Sequence, residues 1–410
     1  MSAAISRFAV PSILATCALV GLSSGQDLGE FLEHAGRGLI RKEFEDANLR
    51  RLTAPWERDA EIYTVRTADG WTLVAHRYRP RPNTGRQAEP VILCHGLGYN
   101  ALFWDLEPHC SFAQYLAQRG YDIWAVSLRG CGLSQKWVWK LDSAPALIIG
   151  GLIRRATNER IAPTGFATVD PKYANWTLDD HIGYDVAAFV YLVKHHTQAS
   201  QVTWIGHSMG GIIALGHLAR YKNPGIARLV TVGSQMTMPA GQLPIQFFTE
   251  MLRLRERELA GKGDRERLVV EIKTSVENMF FNEKNTHPHI YEALTTWAKE
   301  VPSIGVLQQY LVLAREHELW DHKRQFNYAR ALGQVQVPVF VSCGAADQLA
   351  PPEVQRYLYR QVGSAQKNIL IFGRQQSFSV DAGHNDSLVG LNSRNEIYPV
   401  IERWIRTGKP

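Results

Sequence analysis

The stretch Val202-Thr-Trp-Ile-Gly-His-Ser-Met-Gly-Gly211 constrains the fold of this chain more than any other. An apolar, β-branched run from Val202 to Ile205 enters Gly206-His207-Ser208-Met209-Gly210, and Ile212-Ile213-Ala214-Leu215 continues as a good helix former. The pattern predicts a strand, a sharp turn and a helix, with Ser208 at the apex. Gly206 and Gly210 flank it because side chains there would clash with the neighbouring strand and helix. The strained turn pushes the serine hydroxyl into the open. The helix that starts beside it aims unpaired backbone N–H groups and the positive end of its dipole at any oxyanion formed there.

Such a turn needs a sheet around it. Apolar runs occur at Val91-Ile-Leu-Cys94, Tyr121-Asp-Ile-Trp-Ala-Val-Ser127, Leu229-Val-Thr-Val232, Val337-Pro-Val-Phe-Val-Ser342 and Asn368-Ile-Leu-Ile-Phe372. Helical stretches, among them residues 111–119 and 178–195, separate them. Continuous apolar strands alternating with helices predict an α/β fold with a mostly parallel central sheet covered on both faces. Its catalytic groups then sit at the carboxyl ends of the strands. Residues 61–79 switch to period two around Asp69-Gly70, as in a hairpin.

The expected organisation is a core over residues 26–235, with an insertion at about 133–175, a helical cap over 236–328, and the rest of the core over 329–410. The insertion contains Ala144-Pro-Ala-Leu-Ile-Ile-Gly-Gly-Leu-Ile153, read as a buried helix; the alternative is a wall of an acyl pocket or a lid that touches a membrane. Lys136-Trp-Val-Trp-Lys140 beside it has interfacial character.

At the N-terminus, an apolar run from Phe8 to Leu22 is shorter than the ~18 residues a membrane span needs, and small residues follow at Ser23 and Gly25. Residues 1–25 therefore read as an export signal, giving a secreted or periplasmic protein, or a membrane-anchored one if the segment is not cleaved. A net charge of +6 over 410 residues is mild, and no dense Lys/Arg block interleaves with aromatics, which argues against a nucleic-acid partner. Of five cysteines, Cys94 and Cys343 end apolar strands and read as small buried hydrophobes. Whether Cys110 and Cys131 pair stays open.

A serine needs a base, and the base needs an orienting group. Asp381-Ala-Gly-His384-Asn-Asp386 follows the last strand, and His384 is the expected base. The loop after the penultimate strand, Cys343-Gly-Ala-Ala-Asp347, supplies Asp347; Asp381 and Asp386 rank behind it because near neighbours rarely reach the far side of the ring. The chain order is Ser208, Asp347, His384. The oxyanion hole is expected from the N–H groups of Leu97, in His95-Gly96-Leu97-Gly98, and of Met209.

Rival readings exist. Gly96-x-Gly98-x-x-Ala101 after a strand imitates a dinucleotide fingerprint, with Arg129 in the place of a 2′-phosphate partner, but Phe103, Trp104 and Pro108 delay the helix that reading requires. His287-Pro-His289 has no companion ligand at metal spacing, so no metal and no cofactor are expected. Asn175-Trp-Thr177 and Asn385-Asp-Ser387 match the glycosylation acceptor pattern.

With these residues placed, the chain resembles the α/β-hydrolase superfamily and, within it, the acid lipase family of gastric and lysosomal lipases and their bacterial relatives. Matching segments include Val65-Arg-Thr-Ala-Asp-Gly-Trp-Thr-Leu73, His95-Gly-Leu97, Asp180-His-Ile-Gly-Tyr-Asp185, Gly206-His-Ser-Met-Gly-Gly211, Asp347 and His384-Asn-Asp386. Leu128-Arg-Gly130 looks more like the bacterial hydrolases. The resemblance covers the core and not the cap. It implies an α/β-hydrolase fold and a cofactor-free serine esterase or lipase acting on small lipophilic carboxylic esters. A transient lipid-surface contact and no protein partner accompany that expectation. Two alternatives keep the same residues: an acyltransferase that passes the acyl group to an alcohol or thiol, and a non-catalytic binding protein on a hydrolase scaffold.

Overall fold

In the computed structural model the described residues are 60–82, 89–135, 139–141, 167–169, 175–222, 225–238, 242–259 and 279–410. The expected leader and the apolar run 144–153 lie outside them. Eight strands form one sheet: β1 (Glu61–Arg66), β2 (Thr72–Tyr78), β3 (Val91–Cys94), β4 (Ile123–Ser127), β7 (Val202–His207), β8 (Ile226–Val232), β9 (Val339–Gly344) and β10 (Lys367–Phe372). Their order is β1-β2-β4-β3-β7-β8-β9-β10.

β1 and β2 pair antiparallel with Val65 opposite Leu73, joined by a turn at Gly70, whose φ of 92° suits a residue without a Cβ. β2 also pairs antiparallel with β4, and from β4 to β10 every neighbouring pair is parallel. Parallel strands need helical crossovers, which bury both faces, so β3, β4, β7 and β9 are buried throughout. The predicted α/β architecture is the observed one.

The longer helices are α1 (Phe112–Ala117), α2 (Val186–Thr197), α3 (Met209–Arg220), α4 (Gln242–Leu259), α5 (Ile304–Glu316), α6 (Pro352–Gln361) and α7 (Tyr398–Thr407). α1 starts where the Ser111 hydroxyl accepts from Gln114 N at 3.0 Å. α3 packs on β7 and β8 and is buried from Met209 to Ala219, which its run of Gly, Ala, Ile and Leu allows. α4 and α5 fall between β8 and β9, in the stretch read as a cap, and pack on each other. On α7, Trp404 stacks on Phe340 of β9 with centroids 5.5 Å apart.

The described residues 139–141 and 167–169 belong to a second unit of the chain. Its described part is an antiparallel pair, β5 (Trp139–Leu141) with β6 (Ala167–Val169). Sequence reading did not anticipate that pairing, because three-residue strands show no periodicity.

Register levels the strand ends. Cys94 lies opposite Gly206, His207 opposite Val232, and Val232 opposite Ser342. The loops that follow β3, β7, β8 and β9 therefore emerge at one edge.

The dinucleotide reading ends at this edge. After the glycines comes a single 3-10 turn, Ala101–Trp104, capped by Asn100, and the first α-helix starts only at Phe112. Arg129 is no phosphate partner: it is buried, bonded through Nε to Asp185 Oδ1 at 2.8 Å and through its terminal nitrogens to Asp69 at 2.7 and 3.1 Å. Burial works against that guanidinium charge, and the two carboxylates outweigh it. Cys94, Cys110, Cys131 and Cys343 are all buried, and no disulfide joins Cys110 to Cys131.

Candidate active site

Ser208 sits between β7 and α3 with φ 50° and ψ −118°, a conformation that L residues rarely adopt. The surroundings enforce it. A Cβ on Gly206 would lie 2.2 Å from Gly211 N, and one on Gly210 2.2 Å from Cys94 O, so both elbow positions exclude side chains. Ser208 N donates to Val232 O at 2.8 Å, and Ser208 O accepts from Gly211 N, Ile212 N and the Ser234 hydroxyl at 3.0, 3.1 and 2.8 Å. The turn is anchored from both sides through its backbone.

His384 and Asp347 meet as a buried pair, His384 Nδ1 to Asp347 Oδ2 at 2.9 Å. The other carboxylate oxygen accepts from Leu349 N at 3.0 Å and Ala350 N at 2.8 Å. A carboxylate only accepts at neutral pH, so the imidazole carries its proton on Nδ1 and leaves Nε2 open. Ser208 and His384 line one cavity. The two rival carboxylates are used elsewhere. Asp381 Oδ1 accepts from Arg374 N at 2.9 Å. Asp386 accepts from Gly383 N at 2.9 Å, Asn282 N at 3.0 Å and Asn285 Nδ2 at 2.7 Å. Burial raises its pKa above the usual carboxylate range against those bonds.

Leu97 lines the same cavity. Met209 is the first residue of α3, so its N–H has no acceptor within the helix. The loop that carries Leu97 is fixed by His95, which sequence reading did not assign a role: its Nδ1 donates to Gly96 O at 2.9 Å and its Nε2 accepts from Leu128 N at 3.2 Å. Burial brings the His95 pKa down to about 4, so the ring is neutral at ordinary pH.

Three more residues were missed. Gly233 has φ 63°, and a Cβ there would stand 3.0 Å from both Asp347 Oδ2 and His384 Nδ1, so the close approach needs a glycine; the sequence signal was a glycine directly after a strand. Glu300, from the stretch read as a cap, accepts through Oε1 from Asn100 Nδ2 at 3.0 Å and Gly132 N at 2.8 Å, while its own N donates to Gly98 O at 2.7 Å. His207 stacks on Phe103 with centroids 4.6 Å apart and faces His384 O through Nε2 at 3.2 Å.

Asn385 is fully buried with its amide donating to Tyr99 Oη at 2.8 Å, so it is closed to glycosylation, whereas Asn175 is exposed. His287 caps His289 N and His289 Nε2 lies 2.9 Å from Glu107. Among the described residues no group of three or more His, Cys, Asp or Glu is arranged to hold a metal. No helix among them is long and apolar enough to cross a membrane.

A mostly parallel sheet with a serine on a strained strand-to-helix elbow defines the α/β-hydrolase architecture. Residues 89–391 match the alpha/beta hydrolase fold family, and the chain belongs to it. Among curated relatives, human lipase member K is 24% identical over 270 residues, covering 64% of this chain and 55% of that protein. Human gastric triacylglycerol lipase is 26% identical over 188 residues, covering 45% and 40%. The chain thus spans about half the length, or less, of the curated relatives it matches. Among solved structures, an esterase from Thermogutta terrifontis superposes with a TM-score of 0.55 at 17% identity, covering 86% of this chain and all of that one. A bacterial membrane phospholipase A gives 0.51 at 15% identity, covering 97% and 98%. These structures share the fold.

Proposed function

We propose that this protein is a serine hydrolase of carboxylic esters with lipophilic acyl groups, working through an acyl-enzyme on Ser208. The observation that carries the reading is the hydrogen-bonded His384–Asp347 pair beside a serine held at positive φ, in one cavity. Nε2 of His384 takes the Ser208 proton, and the alkoxide attacks the ester carbonyl carbon. The negative oxygen is held by the N–H groups of Leu97 and Met209. His384 passes the proton to the departing alcohol, then takes one from water, whose oxygen attacks the acyl-serine carbonyl, and returns it to Ser208 Oγ as the acid leaves. Asp347 keeps the imidazole oriented and stabilises its cation.

The lipophilic preference is supported by the cavity wall, where Ile212, Met238, Phe247, Phe248, Phe280 and Leu349 surround the reacting end. The names of the lipase relatives point the same way. Export through residues 1–25, a cap over 236–328 and contact with a lipid surface belong to this reading. Hydrolysis of p-nitrophenyl esters of increasing chain length by the wild type and by Ser208→Ala tests it. The expected result is activity that falls on the order of 10⁴-fold in kcat in the variant. Turnover that survives the substitution would reject Ser208 as nucleophile.

A further inference from the structure

We propose that the ester taken by this site carries a hydroxyl group within its otherwise apolar body, and that His207, Gln235 and Tyr310 receive it; the inference rests on the hydrolase reading above. Three residues that line the Ser208 cavity, His207, Gln235 and Tyr310, each carry a buried side-chain atom, Nδ1, Oε1 and Oη, that has no hydrogen-bond partner among the described residues. Their residues are 0, 5 and 4% exposed. Roughly nine in ten buried polar groups find a partner. Three that do not, on residues that line one cavity from the end of β7, the loop after β8 and helix α5, mark a place where something else supplies the bonds.

The chemistry of the three atoms selects the group. A backbone carbonyl only accepts, so His207 Nε2, facing His384 O, carries the ring proton and Nδ1 presents a lone pair. Burial, and then the neighbouring His384, hold the His207 pKa well below the usual range, which keeps that lone pair free. Gln235 Oε1 is a second acceptor. The Tyr310 phenol, whose pKa burial raises, keeps its proton and can donate or accept, and its ring is fixed by stacking on Phe248 of α4 at 5.0 Å. An alcohol O–H meets two of the three atoms at once, donating to one of the two acceptors and accepting from the phenol. A carboxylate would meet two lone pairs, and a plain alkyl chain would leave all three atoms unmet. A site built to hydrogen-bond a hydroxyl discriminates against the analogue that lacks it.

The hydroxyl can reside in the acyl chain or in the alcohol half, and two arms of one experiment separate these. The first compares kcat/KM for p-nitrophenyl decanoate with its monohydroxydecanoate counterparts, the hydroxyl stepped along the chain. The second compares propyl decanoate with 2,3-dihydroxypropyl decanoate. At least one hydroxylated ester is expected to be preferred about tenfold or more, and the ratio to fall to within about twofold of unity in Tyr310→Phe or Gln235→Leu. A merely structural role would lower both esters together and leave the ratio intact. Equal rates for plain and hydroxylated esters in both arms, the result if these atoms meet only solvent, would overturn the inference while leaving the hydrolase reading in place. The dissociation constants of the same ester pairs for Ser208→Ala, which need no turnover and neither variant, give the converse control. Tenfold tighter binding of a hydroxylated ester upholds the inference even if the wild type cleaves nothing, and equal binding rejects it.

Discussion

Protonating His95 is the perturbation whose cost the geometry sets most directly. Both ring nitrogens are committed in the neutral form, Nδ1 as donor to Gly96 O at 2.9 Å and Nε2 as acceptor from Leu128 N at 3.2 Å. A second proton would point at the Leu128 N–H inside a fully buried pocket. Burial, opposed by the Gly96 bond, lowers the pKa from 6.5 to about 4. In the unfolded chain the ring takes up its proton as pH falls through 6.5, while the folded protein waits until about 4. Stability contributed by neutral His95 is therefore lost progressively across that window, and the loss amounts to about 3 kcal/mol once both forms are protonated. Urea unfolding at steps between pH 7 and pH 4, for the wild type and His95→Gln, reads it. The amide can accept from Leu128 N but does not titrate, so the variant should start less stable at pH 7 and lose about 3 kcal/mol less on acidification. His207 is depressed first by burial, which both proteins share, and His95 is the least of the influences on it, so the difference between the curves is mainly that of His95. Parallel stability curves would refute the reasoning.

Two further outcomes follow from buried charges. Arg129→Met strands Asp185, whose pKa burial would raise but the Arg129 charge and His181 hold at about 2, and should cost about 3–5 kcal/mol in urea unfolding at pH 7; Asp69→Asn, at the partly exposed end of the same network, should cost less. Asp386→Ala removes the acceptor that pins the His384 loop to Asn282 and Asn285, and a misplacement of about 1 Å at His384 should lower kcat/KM by roughly 10²-fold, with Asp386→Asn recovering part of the loss; unchanged kinetics in a folded Asp386→Ala protein would show that the loop holds itself.

What could be read in the sequence and what could not divide along a physical line. The Ser208 elbow was legible because its constraint is steric and local: no side chain fits at Gly206 or Gly210, and a strand and helix must flank the serine. The parallel sheet was legible because burial on both faces writes continuous apolar runs such as Val91–Cys94. Asp347 could be ranked above Asp381 and Asp386 from loop order alone, and the three carboxylates do make different bonds. His95 beside Gly96 carried a usable signal that was passed over, a histidine at a strand end with no other task.

Polar pairing over long separations leaves no such trace. Arg129 was weighed only as a 2′-phosphate partner because its actual partners, Asp69 and Asp185, stand 60 and 56 positions away, and Asn285 reaches Asp386 across 101. Glu300 spans 168 positions to Gly132. None of these pairs follows a period, and each matters only once the chain has folded. Substrate choice lies in the same category. Gln235 and Tyr310 are unremarkable in a helical, aromatic stretch, and they acquire meaning when the fold buries them without partners beside Ser208. The reaction class is therefore written in short local motifs, whereas the hydroxyl preference argued above resides in residues that only the assembled cavity brings together.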